Sequence, residues 1–194
     1  MRRALLWIPA IVALAVPLHA GAATKTVQVR DNEFGPATTT VRVGDTVEWT
    51  WTGSNPHSVK QTNDVFPKSP ITSKPYTYTR VFSSGNFPFV CEVHAGMTGT
   101  IRVPATISAA PSGLPFTVRW ATTSTNTGTS WDVQYRIGSG AWTTWRSGTT
   151  SKSGVFGKDG KPVTVKSGKK YTFRARSKRS GKNSRWSPPR SITP

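Results

Sequence analysis

Cysteine is almost missing from this chain: there is one, Cys91, in 194 residues. A single thiol cannot close an internal disulfide, so any fold here rests on packing alone. Histidine and methionine are nearly as scarce, with three and two copies. Acid is short as well, with eight Asp and Glu against 26 Lys and Arg and a formal net charge of +18. The chain has one long apolar run, Ala4 to Leu18, and it falls short of the roughly 20 residues that a spanning helix needs. No stretch shows a helical period, so nothing argues for helix.

What is present at the start reads as an address. Arg2 and Arg3 precede the apolar run, Pro9 and Pro17 interrupt it, and Ala20-Gly21-Ala22 offers small residues where a signal peptidase cuts. Residues 1–22 are therefore read as a signal peptide. The mature chain is then exported (extracellular, cell-surface or periplasmic) and keeps no transmembrane segment. No cysteine stands near the cleavage site, which argues against a lipid anchor. With Met1 and His19 gone, His57, Cys91, His94 and Met97 are all the His, Cys and Met that remain.

Charge then divides the mature chain. Residues 23–104 hold eight cations against six acids, and residues 105–194 hold sixteen against two. An asymmetry of that size predicts two domains with different partners. The boundary falls in an Ala-, Ser-, Pro- and Gly-rich stretch, Pro104 to Pro115, which reads as a linker overlapping the first strand of the second domain.

Through the first half the period is two, the mark of half-buried strands. Thr26–Arg30, Val41–Val43, Val47–Trp51, Ser58–Lys60, Tyr76–Val81, Phe87–Cys91 and Gly99–Val103 read as strands, with Trp49 and Trp51 on the core side. Residues 61–75 contain three Pro and read as a loop or distorted edge strand. About seven short strands separated by polar turns predict a β-sandwich.

The chemistry gathers at Cys91-x2-His94-x2-Met97, with His57 arriving from Asn55-Pro56 upstream. A thiolate, two imidazoles and a thioether are the donors that suit a mononuclear copper electron-transfer site. Taken singly, each residue has a plainer role: Cys91 and Met97 as core fillers, His57 and His94 as turn or surface residues. The case rests on the set, because it uses every soft or borderline donor of the mature chain. Glu92 reads as a solvated loop charge.

Val41-Arg-Val-Gly-Asp-Thr-Val-Glu-Trp49, Asn55-Pro-His-Ser-Val59 and Cys91-x2-His94-x2-Met97-x-Gly99-x-Ile101-x-Val103 together resemble the cupredoxins, the small blue copper proteins of the amicyanin and plastocyanin type. The resemblance covers nearly all of residues 24–104 and implies a Greek-key sandwich holding one type 1 copper. It implies His57, Cys91 and His94 in a trigonal plane, Met97 as weak axial ligand, and the Ser58 N–H hydrogen-bonded to the Cys91 sulfur. Relatives often carry Asn where Ser58 stands and Pro where Val93 stands. The face near His94 is where such proteins pass electrons, which makes Ala95 and Gly96 candidate contacts.

The second half is all-β again and rich in Trp: Phe116–Trp120, Trp131–Arg136, Ala141–Trp145, Val163–Val165 and Tyr171–Arg176 read as strands. Trp131-x-Val133-x-Tyr135, Tyr171-x-Phe173-x-Ala175 and Trp186-Ser-Pro-Pro189 resemble a fibronectin type III domain, an immunoglobulin-like sandwich. That resemblance implies a tyrosine corner at Tyr171. Trp186 is expected to stack between Arg174 and Arg176. Ten cations from Lys166 to Arg190 suit an acidic polymer or anionic cell surface, or else simply solubilise the protein. Export and the absence of a recognition motif disfavour nucleic acid.

The expectation is an exported one-electron copper carrier with a basic docking module and an unidentified redox partner protein. It is not an enzyme, since both mature His are committed to the metal. Copper capture or delivery, or a non-redox adhesion role, are the alternatives.

Overall fold

The computed structural model describes residues 21–109, 115–125, 127–160 and 163–194. The signal peptide read at residues 1–22 lies outside them except for its last two residues, as do residues 110–114 of the linker. Among the described residues there are sixteen strands, and no helix is long and apolar enough to cross a membrane.

The first eight strands are β1 (Thr24–Arg30), β2 (Glu33–Gly35), β3 (Thr38–Thr40), β4 (Thr46–Trp51), β5 (Lys60–Gln61), β6 (Thr77–Val81), β7 (Gly85–Val90) and β8 (Thr98–Val103). They form two four-stranded sheets, ordered β2-β1-β4-β6 and β3-β8-β7-β5. Alternation along β4 and β7 turns one residue in two inward, so each sheet has one apolar face to cover. The two faces meet through aromatic rings. Phe89 of β7 lies 4.7 Å from Phe34 of β2 and 5.4 Å from Trp49 of β4, both edge-on. Trp49 is fully buried and Trp51 nearly so, as their period predicted.

The Val41–Val43 stretch departs from its sequence pattern. Val41-Arg42-Val43 alternates, yet the strand ends at Thr40. The Arg42 N–H donates to Asp45 Oδ2 at 2.8 Å, and Asp45 Oδ1 accepts from Ala23 N at 3.0 Å. A turn carboxylate has taken the hydrogen bond that a ladder would have used.

The remaining strands are β9 (Thr106–Ala109), β10 (Phe116–Arg119), β11 (Thr129–Ile137), β12 (Thr143–Thr149), β13 (Ser153–Phe156), β14 (Tyr171–Arg179), β15 (Lys182–Asn183) and β16 (Arg190–Ile192). They build a three-stranded sheet, β13-β10-β9, and a second sheet, β12-β11-β14-β15, with β16 also on β14. Again the two layers close on aromatics, Phe156 packing edge-on to Tyr135 at 4.8 Å and to Phe173 at 4.9 Å. Part of the stretch read as linker is thus strand β9, paired antiparallel with β10. Val163 and Val165 pack on this core without joining a ladder. The Tyr171 hydroxyl accepts from the Lys166 N–H at 2.8 Å, tying down the turn before β14.

The two sandwiches meet at the turn between β6 and β7 and again where Asn63 Nδ2 donates to Asn183 O at 3.0 Å. Ser83 Oγ is 2.9 Å from Ser177 Oγ and accepts from Trp131 Nε1 at 3.0 Å. Ser84 N donates to Trp120 O at 2.7 Å, and Asn86 and Arg185 exchange backbone hydrogen bonds. The contact at Ser83–Asn86 is at the start of β7, while Cys91 follows its end, roughly 20 Å away at about 3.3 Å per residue.

Candidate metal centre

Two segments deliver the donors. The hairpin from β7 to β8 carries residues 91–97, and the loop's ends are held because Cys91 N donates to Met97 O at 3.0 Å and Met97 N to His94 O at 3.2 Å. His57 lies between β4 and β5. It is fixed by backbone hydrogen bonds exchanged with Thr72, 2.8 Å and 3.0 Å long. The loop at residues 61–75, irregular in sequence, therefore acts as the wall that seats this residue.

Cys91 Sγ stands 3.8 Å from His57 Nδ1 and 3.5 Å from His94 Nδ1. All three donor atoms lie within 4.8 Å of one another. His57 is fully buried, Cys91 and Met97 are buried, and His94 is half-buried. These spacings test whether one ion fits. With bonds of about 2.0 Å to nitrogen and 2.3 Å to sulfur spread at 120°, neighbouring donors stand about 3.7 Å apart. The residues present fit a single metal held by two Nδ1 atoms and a sulfur, with Met97 enclosed beside them.

The surroundings of the thiol are specified as closely as the thiol. Ser58 N donates to Cys91 Sγ at 3.5 Å, and the Ser58 hydroxyl accepts from Glu92 N at 3.0 Å. Ser58 thus links the His57 segment to the hairpin by both of its polar groups. Glu92 is more than a solvated charge. Its carboxylate accepts from Lys68 Nζ at 2.9 Å and lies 3.5 Å from Lys60 Nζ. The hydrogen bond from Lys68 is the main cause holding the Glu92 carboxyl below its usual range, with both lysine charges adding to it. Exposed pairs of this sort contribute about 0–1 kcal/mol, so their role is to orient the loop more than to stabilise the fold.

Asp31, at the turn between β1 and β2, reaches His57 from the strand that pairs with β4. Its Oδ1 is 3.1 Å from His57 Nε2 and accepts from Asn55 N at 2.9 Å, while Oδ2 accepts from Ser54 N at 3.1 Å. Those bonds, from Asn55 first, then Ser54 and His57, lower its carboxyl from 3.8 to about 2. Nothing in the local sequence flags Asp31 or Glu92, because each acts on a partner at least two dozen residues away or through a backbone atom.

No protein-family model matches the chain, and no curated protein matches it. Among solved structures it is similar to a purple cupredoxin from Nitrosopumilus maritimus, at 21% identity over 40% of this chain and 97% of that one, with a TM-score of 0.38. It is similar to a reduced-state amicyanin mutant at 27% identity over 43% of this chain and 82% of that one, TM-score 0.38. A copper-containing nitrite reductase from Thermus scotoductus SA-01 is 27% identical over 50% of this chain and 27% of that one, TM-score 0.39. These three matches cover 40–50% of the chain.

Proposed function

We propose that this chain is an exported mononuclear copper protein that carries one electron at a time. His57, Cys91 and His94 would hold the metal, and Met97, buried in the same hairpin, would offer a fourth donor. One observation carries the reading: two Nδ1 atoms face one sulfur at 3.8 Å and 3.5 Å, the spacing a single ion imposes. Copper, when bound, supplies a one-electron couple that this mix of thiolate, imidazole and thioether donors tolerates in both states.

The chain's own part is to keep the donors from moving. His57 is buried and held at its backbone by Thr72 and at its ring by Asp31. Cys91 is buried and held at its sulfur by Ser58 N. A site that does not rearrange between oxidation states exchanges electrons fast. His94 is the ligand that reaches the surface. Val93 beside it is 46% exposed, and Ile71, next to the residue that seats His57, is 51% exposed. That apolar rim suits a redox partner protein docking over His94, Ala95 and Gly96.

The protein is read as a carrier and not an enzyme. Four protein donors leave no open position for substrate, and the mature chain has no further His to act as general base. In stopped-flow mixing with a small inorganic reductant and oxidant, the copper-loaded protein is expected to cycle reversibly within milliseconds. Tight Cu(I) retention with slow exchange would instead favour copper capture or delivery.

For the second half the proposal is docking to an acidic polymer or anionic cell surface. On the outer face of β11 and β14 a ladder runs Arg136, Trp142, Arg174, Trp186, Arg176, with each guanidinium 4.2–4.8 Å from a ring centroid. Burial, with Arg136 and Arg176 close by, pulls Arg174 below the ordinary arginine value. Asp132 is the acid on this face, paired to Arg176 at 2.9 Å. Each indole already carries two guanidiniums, which disfavours stacking of nucleic-acid bases. Retention on a polyuronate matrix is expected to fall on the order of tenfold as salt rises from about 0.1 M to 1 M and the screening length shrinks from about 10 Å to 3 Å. Reversing the exposed Lys166, Lys169 and Lys170 to Glu should mimic the salt; retention unchanged by either would overturn this role.

A further inference from the structure

We propose that Asp31 is a positioning residue of the metal centre: its carboxylate decides which nitrogen of His57 faces the metal and strengthens that nitrogen as a donor to Cu(II). The inference rests on the copper reading and adds to it a residue at the end of β1, the strand beside β4. An ionised carboxylate only accepts hydrogen bonds. Asp31 Oδ1, 3.1 Å from His57 Nε2, therefore places the ring proton on Nε2. The lone pair is left on Nδ1, the atom 3.8 Å from Cys91 Sγ. His57 is fully buried, so its ring is shielded from bulk solvent.

The carboxylate itself is held by backbone, not by mobile side chains. Ser54 N and Asn55 N occupy its two oxygens at 3.1 Å and 2.9 Å. The loop closes so tightly that a Cβ on Gly53 would stand 2.4 Å from Asp31 Oδ1 and 2.5 Å from Asp31 N. Only glycine permits that approach. A fixed negative charge on the outer nitrogen makes an imidazole a stronger donor, and the more highly charged ion gains more from it. Asp31 thus lowers the reduction potential.

The test has a part without metal and a part with it. Nitrogen NMR of the metal-free wild type is expected to find His57 protonated at Nε2 and bare at Nδ1; the reverse tautomer would overturn the proposal. In Asp31→Asn, Cu(II) affinity is expected to fall about 10- to 100-fold with a smaller change for Cu(I). Each tenfold difference between the two raises the potential by about 59 mV. Asp31→Glu, which keeps the charge, should recover part of the shift. A folded Asp31→Asn protein with wild-type potential would sink the idea. If Asp31→Asn does not fold, Asp31→Glu and the wild-type tautomer still decide. Failure of the wild type to bind copper would defeat the copper reading, while the tautomer would still report whether Asp31 holds His57.

Discussion

Copper-loaded Cys91→Ser is expected to lose the intense visible absorption of the wild type entirely, and its Cu(II) affinity should fall by more than about 100-fold. The lower bound comes from groups that only support ligands, whose loss costs about 10- to 100-fold. Removing a ligand removes more. Cys91 is the chain's only cysteine, so no second thiolate can take its place. Charge transfer from a thiolate to copper is the source of the band, and neither imidazole nor thioether reproduces it. Serine is the informative replacement because the fold survives it better than alanine. Ser58 is fully buried and its N–H points at Cys91 Sγ from 3.5 Å. Alanine would leave that donor without an acceptor, at a cost of about 1–3 kcal/mol, whereas a serine hydroxyl can accept it. Optical and EPR titration with copper reads the outcome. A band that persists in Cys91→Ser would mean that it does not arise from Cys91 and that the ligand set is wrong.

The clustering of His57, Cys91 and His94 was legible in sequence because their residue types are so rare here. In a chain with one Cys, a Cys-x2-His-x2-Met spacing has little competition. Asp31 and Glu92 were illegible for the opposite reason: a carboxylate in a turn is ordinary, and only the fold shows what it faces. Period two located most strands, and it placed Trp49 and Trp51 correctly in the core. It failed at Val41–Val43, where alternation persists but Asp45 captures the Arg42 N–H. Ser83-Ser84-Gly85-Asn86 shows the same limit differently. In sequence it is a polar stretch between strands, yet Ser83 and Ser84 are buried because Trp120, Trp131 and Ser177 of the other half cover them. Composition reports what a residue prefers; a partner dozens of positions away can reverse it.

Phe89→Ala is expected to cost about 3–5 kcal/mol, a large share of the roughly 5–15 kcal/mol that holds a typical domain together. Phe89 is 1% exposed and joins the two sheets through Phe34 and Trp49. It is also paired across β7 and β8 with Gly99, where a Cβ would stand 2.3 Å from its Cζ. Gly99→Ala must therefore push the ring aside, and overpacking of this kind costs about 1–3 kcal/mol. The two changes should not add. With the ring gone, the methyl at position 99 occupies part of the space it left, so the double variant should recover about 0.5–3 kcal/mol relative to the sum. Urea unfolding of the metal-free proteins measures this, provided the slopes match and the midpoints alone move. Phe89 lies two residues before Cys91 and Gly99 two after Met97, so this contact closes the base of the ligand hairpin. Coupling of the expected size would tie the hairpin's geometry to the core between the sheets. Strict additivity would mean that the loop's own hydrogen bonds, from Cys91 N to Met97 O and from Met97 N to His94 O, fix it without help from the ring.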